Sequence, residues 1–202
     1  MILMGYIEWH NGIMRLGRTF TAVLLLFAAA LACAADPAPD PELREVLRQA
    51  ASESPSFTDR FDAEVWLTDM SSRLSRQLED PGERIELLTL VHMEAKRVEL
   101  PPELILAVIE VESNFDRYAV SVAGALGLMQ IMPFWLNEIG RPDDNLLHTD
   151  TNLRYGCTIL RFYYDKEKGD LRRALGRYNG SLGRRKYPNK VIDKLSKKWF
   201  KA

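Results

Sequence analysis

The chain has 202 residues and a mass of 23.1 kDa, with 27 Lys and Arg against 28 Asp and Glu, a net charge of −1 and a pI near 6.3. That length holds one catalytic-size domain with some extra. A 47% share of hydrophobic residues and 27% of charged ones excludes disorder, collagen and a multi-span membrane protein as whole-chain readings, and the near-neutral charge gives no reason to expect nucleic acid as a partner.

Two cysteines are too few for a disulfide scaffold or a cysteine-based zinc site, and His10, His92 and His148 lack close ligand spacing. No HExxH, GxSxG, Walker or GxGxxG pattern occurs. Zinc hydrolases, serine hydrolases and nucleotide enzymes are therefore disfavoured. No metal and no cofactor are expected.

Residues 1–35 read as a secretory signal. Arg15 and Arg18 precede 17 uncharged residues ending in Ala32-Cys33-Ala34-Ala35, the basic start, short apolar middle and Ala-x-Ala exit of an export segment. A membrane anchor wants about 20 apolar residues, so cleavage is preferred. Met14 is an alternative start. Lipidation at Cys33 is a second reading, because Ala29–Cys33 loosely matches a bacterial lipobox. Cleavage would leave 167 residues with Cys157 as their one cysteine, read as a buried small hydrophobe.

Charge is segregated. Residues 36–115 hold 18 acids and 8 bases, and residues 166–202 hold 13 bases and 3 acids. The plain reading is that the basic tail packs near the acidic leading helices. A few tail bases are left to meet an anionic substrate.

The remaining pattern is helical nearly throughout. Asp36–Pro41 reads as a leader, Leu43 to Ala51 as a short helix and Ser52–Thr58 as its break. Asp62–Leu78 carries Val65, Trp66, Met70 and Leu74 at near-helical spacing. Asp80-Pro81 ends that element or caps the next helix, which is striped by Ile85, Leu87, Leu88, Val91, His92 and Ala95 and ends near Val98. Pro101-Pro102 opens a helix that is apolar on most sides through Val111. A short apolar helix is expected from Leu128 to the break at Pro133. Thr149 or Asp150 caps a helix to Lys166, Asp170 caps one to Tyr178, and Pro188 opens the last, to about Phe200. No convincing strand or repeat is found. The domain reading is 36–80 as a helical lead-in and 81–202 as the catalytic domain.

Glu112 ends the apolar helix. Apolar surroundings and the partial negative charge of a helix C-terminus both disfavour an ionised carboxyl there. A carboxylic acid kept protonated near neutrality is what glycosidic cleavage needs. The plain reading of a lone glutamate at a helix end is a solvated side chain. Glu110, two residues away on another side of the helix, fits that reading better.

The run that follows decides for chemistry. Glu112-Ser113-Asn114-Phe115 leads to Ser121, then Gly124-Ala125-Leu126-Gly127-Leu128-Met129-Gln130-Ile131-Met132-Pro133, and later Arg177-Tyr178-Asn179-Gly180-Ser181. In order and spacing these blocks strongly resemble lytic transglycosylases with the soluble-lytic-transglycosylase type of catalytic domain. The resemblance covers roughly Ile85 to Phe200. It implies an all-α, lysozyme-like domain with a cleft, acting on the glycan strands of bacterial peptidoglycan in the periplasm.

Residue by residue, the resemblance implies Glu112 as the catalytic acid and base, and Ser121 as a hydroxyl lining the cleft. Gln130 and Met132 match side chains of the sugar and peptide-stem groove. Tyr178 matches a tyrosine whose hydroxyl lies near the catalytic carboxyl, from which a Tyr178–Glu112 hydrogen bond is expected, and Asn179 matches its partner in that wall. Gly124 and Gly127 are expected to permit special backbone geometry and close approach. Asn152-Leu153-x-x-Gly156 resembles a helix start that braces the cleft. Arg117 and Val122 depart from the prolines often found at those places.

The implied reaction uses one carboxyl and yields 1,6-anhydro-N-acetylmuramic acid ends. The alternatives are a lysozyme-type hydrolase, which needs a second carboxylate with Asp116 as nearest candidate, although local hydrogen bonding in the turn is the role expected of that residue, and a non-catalytic glycan-binding module. The setting implied is general wall turnover or a local opening for cell-envelope machinery such as a secretion apparatus or pilus.

Overall fold

The computed structural model describes residues 56, 57 and 59–200. The export segment, Cys33 and the short helix at Leu43 to Ala51 lie outside the described residues.

Asp59 begins the regular structure by capping α1, Arg60–Leu74, with its Oδ1 accepting from the backbone N–H groups of Phe61 and Asp62 at 2.6 and 3.3 Å. Asp80 caps α2, Pro81–Arg97, through the N–H of Glu83 at 2.7 Å. Pro81 at the first position loses nothing there, because its missing N–H would have no intrahelical partner. α3, Pro102–Glu112, buries Pro102 and every residue from Leu104 to Glu110. It is the central rod of the domain, packed by α2, by the last helix and by the turn that follows it.

Beyond a long irregular segment come α4, Trp135–Ile139, α5, Thr149–Lys166, and α6, Leu171–Tyr178, the last capped by Asp170 through the Arg173 N–H. α7, Lys186–Lys194, runs into one π-helical turn, Leu195–Trp199. All-α is therefore the observed class, and no strand is formed among the described residues beyond two isolated antiparallel pairings, Val120 with Leu126 and Leu126 with Ile131.

Four expectations change. Leu128–Met132 forms no helix: Leu126 and Ile131 exchange both backbone hydrogen bonds at 2.9 Å, closing a tight loop with Gln130 in the left-handed region at φ 50°. The apolar side chains there are buried because the loop folds inward, so burial alone imitated a helical stripe. Neither Thr149 nor Asp150 caps α5; His148 occupies that place without a side-chain cap bond. Pro188 lies inside the first turn of α7, two residues after its start.

Glu110 is the largest departure. It is buried, not solvated, and Oε1 accepts from Lys194 Nζ at 2.6 Å while Oε2 accepts from Trp199 Nε1 at 2.7 Å. Lys198 Nζ stands 3.4 Å from Oε2. Burial alone would push this carboxyl up; the two ammonium groups and the indole N–H outweigh it and hold it below the ordinary range. Arg73 on α1 also donates to the Lys198 carbonyl. The basic tail thus packs partly on acidic elements, as the charge segregation suggested.

His92 is a packed helix-face histidine: it stacks on Phe57 at 3.6 Å and its Nδ1 lies 2.8 Å from Ser56 Oγ. Burial and the nearby Lys96 charge lower it to about 4. Cys157 is fully buried, and desolvation pushes its thiol up.

Gly156 shows how tightly the loop is seated on α5. A Cβ there would lie 2.8 Å from Met129 Cβ, closer than carbon atoms approach. Gly156→Ala should therefore destabilise the protein by about 1–3 kcal/mol through overpacking, read as a lower urea midpoint with an unchanged m-value.

Candidate functional site

Glu112 is the last residue of α3, and the chain turns sharply after it. Asn114 and Phe115 both adopt positive φ, 51° and 70°. Asparagine tolerates this region; a bulky side chain there is strained. Burial of the Phe115 ring, centred 5.6 Å from that of Trp199, holds the strained turn. Ser113 closes the junction: its hydroxyl lies 2.8 Å from the Leu128 carbonyl, tying the end of α3 to the inward loop.

The loop is held from the other side by Asn152 on α5. Its Oδ1 accepts from Met129 N at 2.8 Å, and its Nδ2 donates to the carbonyls of Leu126 and Leu146 at 2.9 and 2.7 Å. One buried amide thus satisfies Met129 N and the Leu146 carbonyl and adds a second bond to the Leu126 carbonyl, which Ile131 N also meets. Gly127 has φ 72°, and a Cβ on it would meet the Leu146 carbonyl at 2.8 Å. Both reasons for glycine, conformation and close approach, apply at that position. At Gly124, with φ 84° and open space around it, only conformation applies.

The Glu112 carboxyl is half-buried. Oε1 accepts from the Tyr187 hydroxyl at 2.6 Å, and the Asn179 side chain also hydrogen-bonds the carboxyl. Desolvation raises its pKa above the ordinary carboxylate range, and the bonds from Tyr187 and Asn179 partly oppose the rise by favouring the ionised form. Both tyrosine hydroxyls of this wall are pushed well above their usual range, first by burial and then by the Glu112 charge. They stay protonated and act as donors.

The expected bond between Tyr178 and Glu112 is not formed. Tyr178 donates to the Met129 carbonyl at 2.7 Å instead. It lies near enough to Glu112 to feel its charge, yet its hydroxyl pins the loop. The donor on the carboxyl is Tyr187, from the start of α7. No motif contained it; the available signal was a buried tyrosine in an otherwise basic stretch, Arg184-Arg185-Lys186-Tyr187.

The other expected residues divide. Ser121 Oγ accepts from Ala125 N at 3.0 Å and, with two backbone bonds, closes a hairpin over Gly124. Gln130 donates from Nε2 to the carbonyls of Ala119 and Gly127 at 3.1 and 2.9 Å, so it braces the same hairpin. Met132 is half-buried beside it. Asp116 is exposed, and its Oδ1 accepts from Tyr118 N at 2.8 Å, the local turn bond expected of it. Among the described residues no group of three or more His, Cys, Asp and Glu could hold a metal ion.

Fold and site together define an all-helical domain whose central helix ends in a desolvated carboxyl with a neutral hydroxyl as its donor. Residues 89–200, more than half of the chain, match the transglycosylase SLT domain. A membrane-bound lytic murein transglycosylase C of Actinobacillus pleuropneumoniae is 54% identical over 48 residues, 24% of this chain and 13% of that protein. A transglycosylase of Enterobacteria phage PRD1 is 31% identical over 104 residues, 48% of this chain and 38% of that protein. A solved structure of lytic transglycosylase Slt from Pseudomonas aeruginosa, an inactive mutant, aligns over 77% of this chain and 34% of that one, at 22% identity and a TM-score of 0.44. The chain belongs to the transglycosylase SLT domain family. It spans well under half the length of these relatives.

The two tyrosines should separate cleanly. Tyr187→Phe removes a donor that favours ionised Glu112, so the acid's pKa should rise and the alkaline limb of the pH–rate profile should move up. Tyr178→Phe leaves the Met129 carbonyl without its donor, costing about 1–3 kcal/mol of stability, and should move that limb less. A pH series of initial rates beside urea unfolding of both variants checks this.

Proposed function

We propose that this protein is a peptidoglycan lytic transglycosylase that cleaves the β-1,4 bond between N-acetylmuramic acid and N-acetylglucosamine with Glu112 as acid and then base. The observation that carries the reading is the Glu112 environment: a carboxyl at a helix C-terminus, desolvated so that its acid form is favoured, with Tyr187 and Asn179 fixing its orientation. The family match and the names of the relatives support the same substrate.

Protonated Glu112 gives its proton to the bridging oxygen, and the bond from that oxygen to the anomeric carbon breaks. Positive charge develops on the sugar ring, and the Glu112 carboxylate left behind lies beside it. The ring's own 6-hydroxyl then attacks the anomeric carbon and surrenders its proton to Glu112. No water is consumed, and the acid is regenerated. An attacking hydroxyl on the same sugar has an effective molarity on the order of 10⁵ M or more when well oriented, which explains how one carboxyl suffices. Ser121, Gln130, Met132, Tyr178 and Asn179 form the wall against which the sugar is oriented in this reading. Tyr178 and Gln130 act mainly by holding the loop.

The cell envelope is the inferred location. Relatives are named membrane-bound, and the start of the chain has the composition of an export segment. No helix among the described residues is long and apolar enough to cross a membrane. Cleavage near Ala35 gives a periplasmic enzyme; lipidation at Cys33 gives a membrane-attached one. The intact mass of the exported protein distinguishes them.

Glu112→Gln should lower turnover of purified peptidoglycan at least about a hundredfold. Between the ordinary and the raised carboxyl pKa the folded state binds more protons than the unfolded one, so stability falls as pH rises through that window. The variant lacks this loss and should melt no lower than the parent at neutral pH. Asp116→Asn should keep most activity, and mass spectrometry of the products should show 1,6-anhydro ends. Ends heavier by one water, with an inactive Asp116→Asn, would assign a lysozyme-type hydrolase instead.

A further inference from the structure

Glu110 and Glu112 leave α3 about 200° apart around its axis and only about 3 Å apart along it. One helix holds both. Tyr187 and Lys194 are seven residues apart on α7, on one face with buried Val191 between them. Tyr187 meets Glu112 at 2.6 Å and Lys194 meets Glu110 at 2.6 Å. The two attachments lie about 10 Å apart along α7. A single bond would leave α7 free to tilt about it. Two bonds to opposite sides of the same rod fix both its tilt and its rotation. Past the end of α7, Trp199 donates to the second Glu110 oxygen and Lys198 adds its charge, so the chain is held on both sides of Lys194.

We propose that Glu110 is a positioning residue for Glu112: by gripping Lys194 and Trp199 it sets α7 so that the Tyr187 hydroxyl meets the Glu112 carboxyl. An ion pair with one buried partner is poor evidence for stability alone, because a well-packed apolar residue often does as well. What a carboxylate supplies and an apolar side chain lacks is direction. Each Glu110 oxygen has its own donor, from a different stretch of chain. The groups facing Glu110 are Lys194 from α7 and Lys198 and Trp199 from the π-helical turn; those facing Glu112 are Tyr187 from α7, Asn179, and Tyr178 from α6. The link from this geometry to turnover rests on the transglycosylase reading; the geometry itself does not.

The test is a double-mutant cycle in the full chain between Lys194→Met and Tyr187→Phe, with Lys194→Arg as the conservative control and Glu110→Gln as an independent way to loosen the grip. Two readouts are taken: the titration of the Glu112 side-chain carboxyl by carbon-13 NMR without substrate, and kcat and KM against pH on purified peptidoglycan. Thermal melts establish that each variant is folded. Lys194→Met should lower kcat about threefold to tenfold with KM little changed. Tyr187→Phe should shift the Glu112 titration upward in the parent, and by less than about half as much where Lys194 is already Met. Lys194→Arg should restore the full shift, and Glu110→Gln should reproduce the loss. Equal shifts in both backgrounds, or no shift on Tyr187→Phe in either, would overturn the proposal. A parent without turnover whose NMR cycle is coupled would sink the transglycosylase reading and leave the positioning role standing.

Discussion

A carboxyl at the end of a buried helix has to sit where that helix meets solvent, and that constraint shapes the domain. α3 is buried along its length because a helix with apolar residues on every side has no other stable place. Its last residue cannot be buried equally well, since an isolated ionised carboxylate in an apolar interior is prohibitively costly. The chain meets both demands by ending the helix at Glu112 with two left-handed residues. The backbone then leaves the core while the carboxyl stays half-covered. α7 provides the cover and the loop after Gly127 frames it.

Two carboxyls on one helix show how environment decides chemistry. Glu110 is the more buried of the pair, yet cationic and N–H donors fully satisfy it and hold it ionised. Glu112 is partly exposed, yet its donors are neutral, so desolvation prevails and its acid form is favoured. Exposed area alone ranks the two the wrong way round for acidity. The sign of the partners ranks them correctly, because only a positive charge offsets the loss of hydration in full. Glu110 thus serves structure, while desolvation raises the Glu112 pKa and so favours its acid form.

Much of this was legible in the sequence where local chemistry decides. The caps at Asp80 and Asp170, the buried character of α3, the special backbone at Gly124 and Gly127 and the turn role of Asp116 all follow from side chains acting on their immediate neighbours. Glu112 was legible because its position at the end of an apolar run is itself a local fact. What stayed hidden depends on distant pairings. The tail partners of Glu110 lie 84 and 89 residues away, and the donor to Glu112 lies 75 away. No periodicity encodes such separations. Leu128–Met132 misled for a related reason: its apolar residues are buried by a loop that Asn152 holds from another helix, and a distant amide has no local signature.

The loop and the carboxyl are also mechanically continuous. Asn152 binds Met129 and Leu126, Ser113 binds Leu128, and Tyr178 binds Met129. The loop is therefore fixed to the end of α3, to α5 and to α6 by bonds to its backbone. In the reaction proposed above the nucleophile belongs to the substrate. The enzyme need not place a water molecule, but it must hold one sugar so that its own hydroxyl is nearer the anomeric carbon than any solvent. In that reading a rigid wall favours the intramolecular product, because effective molarity depends on orientation. A domain with one acid and a backbone-anchored wall is suited to that outcome.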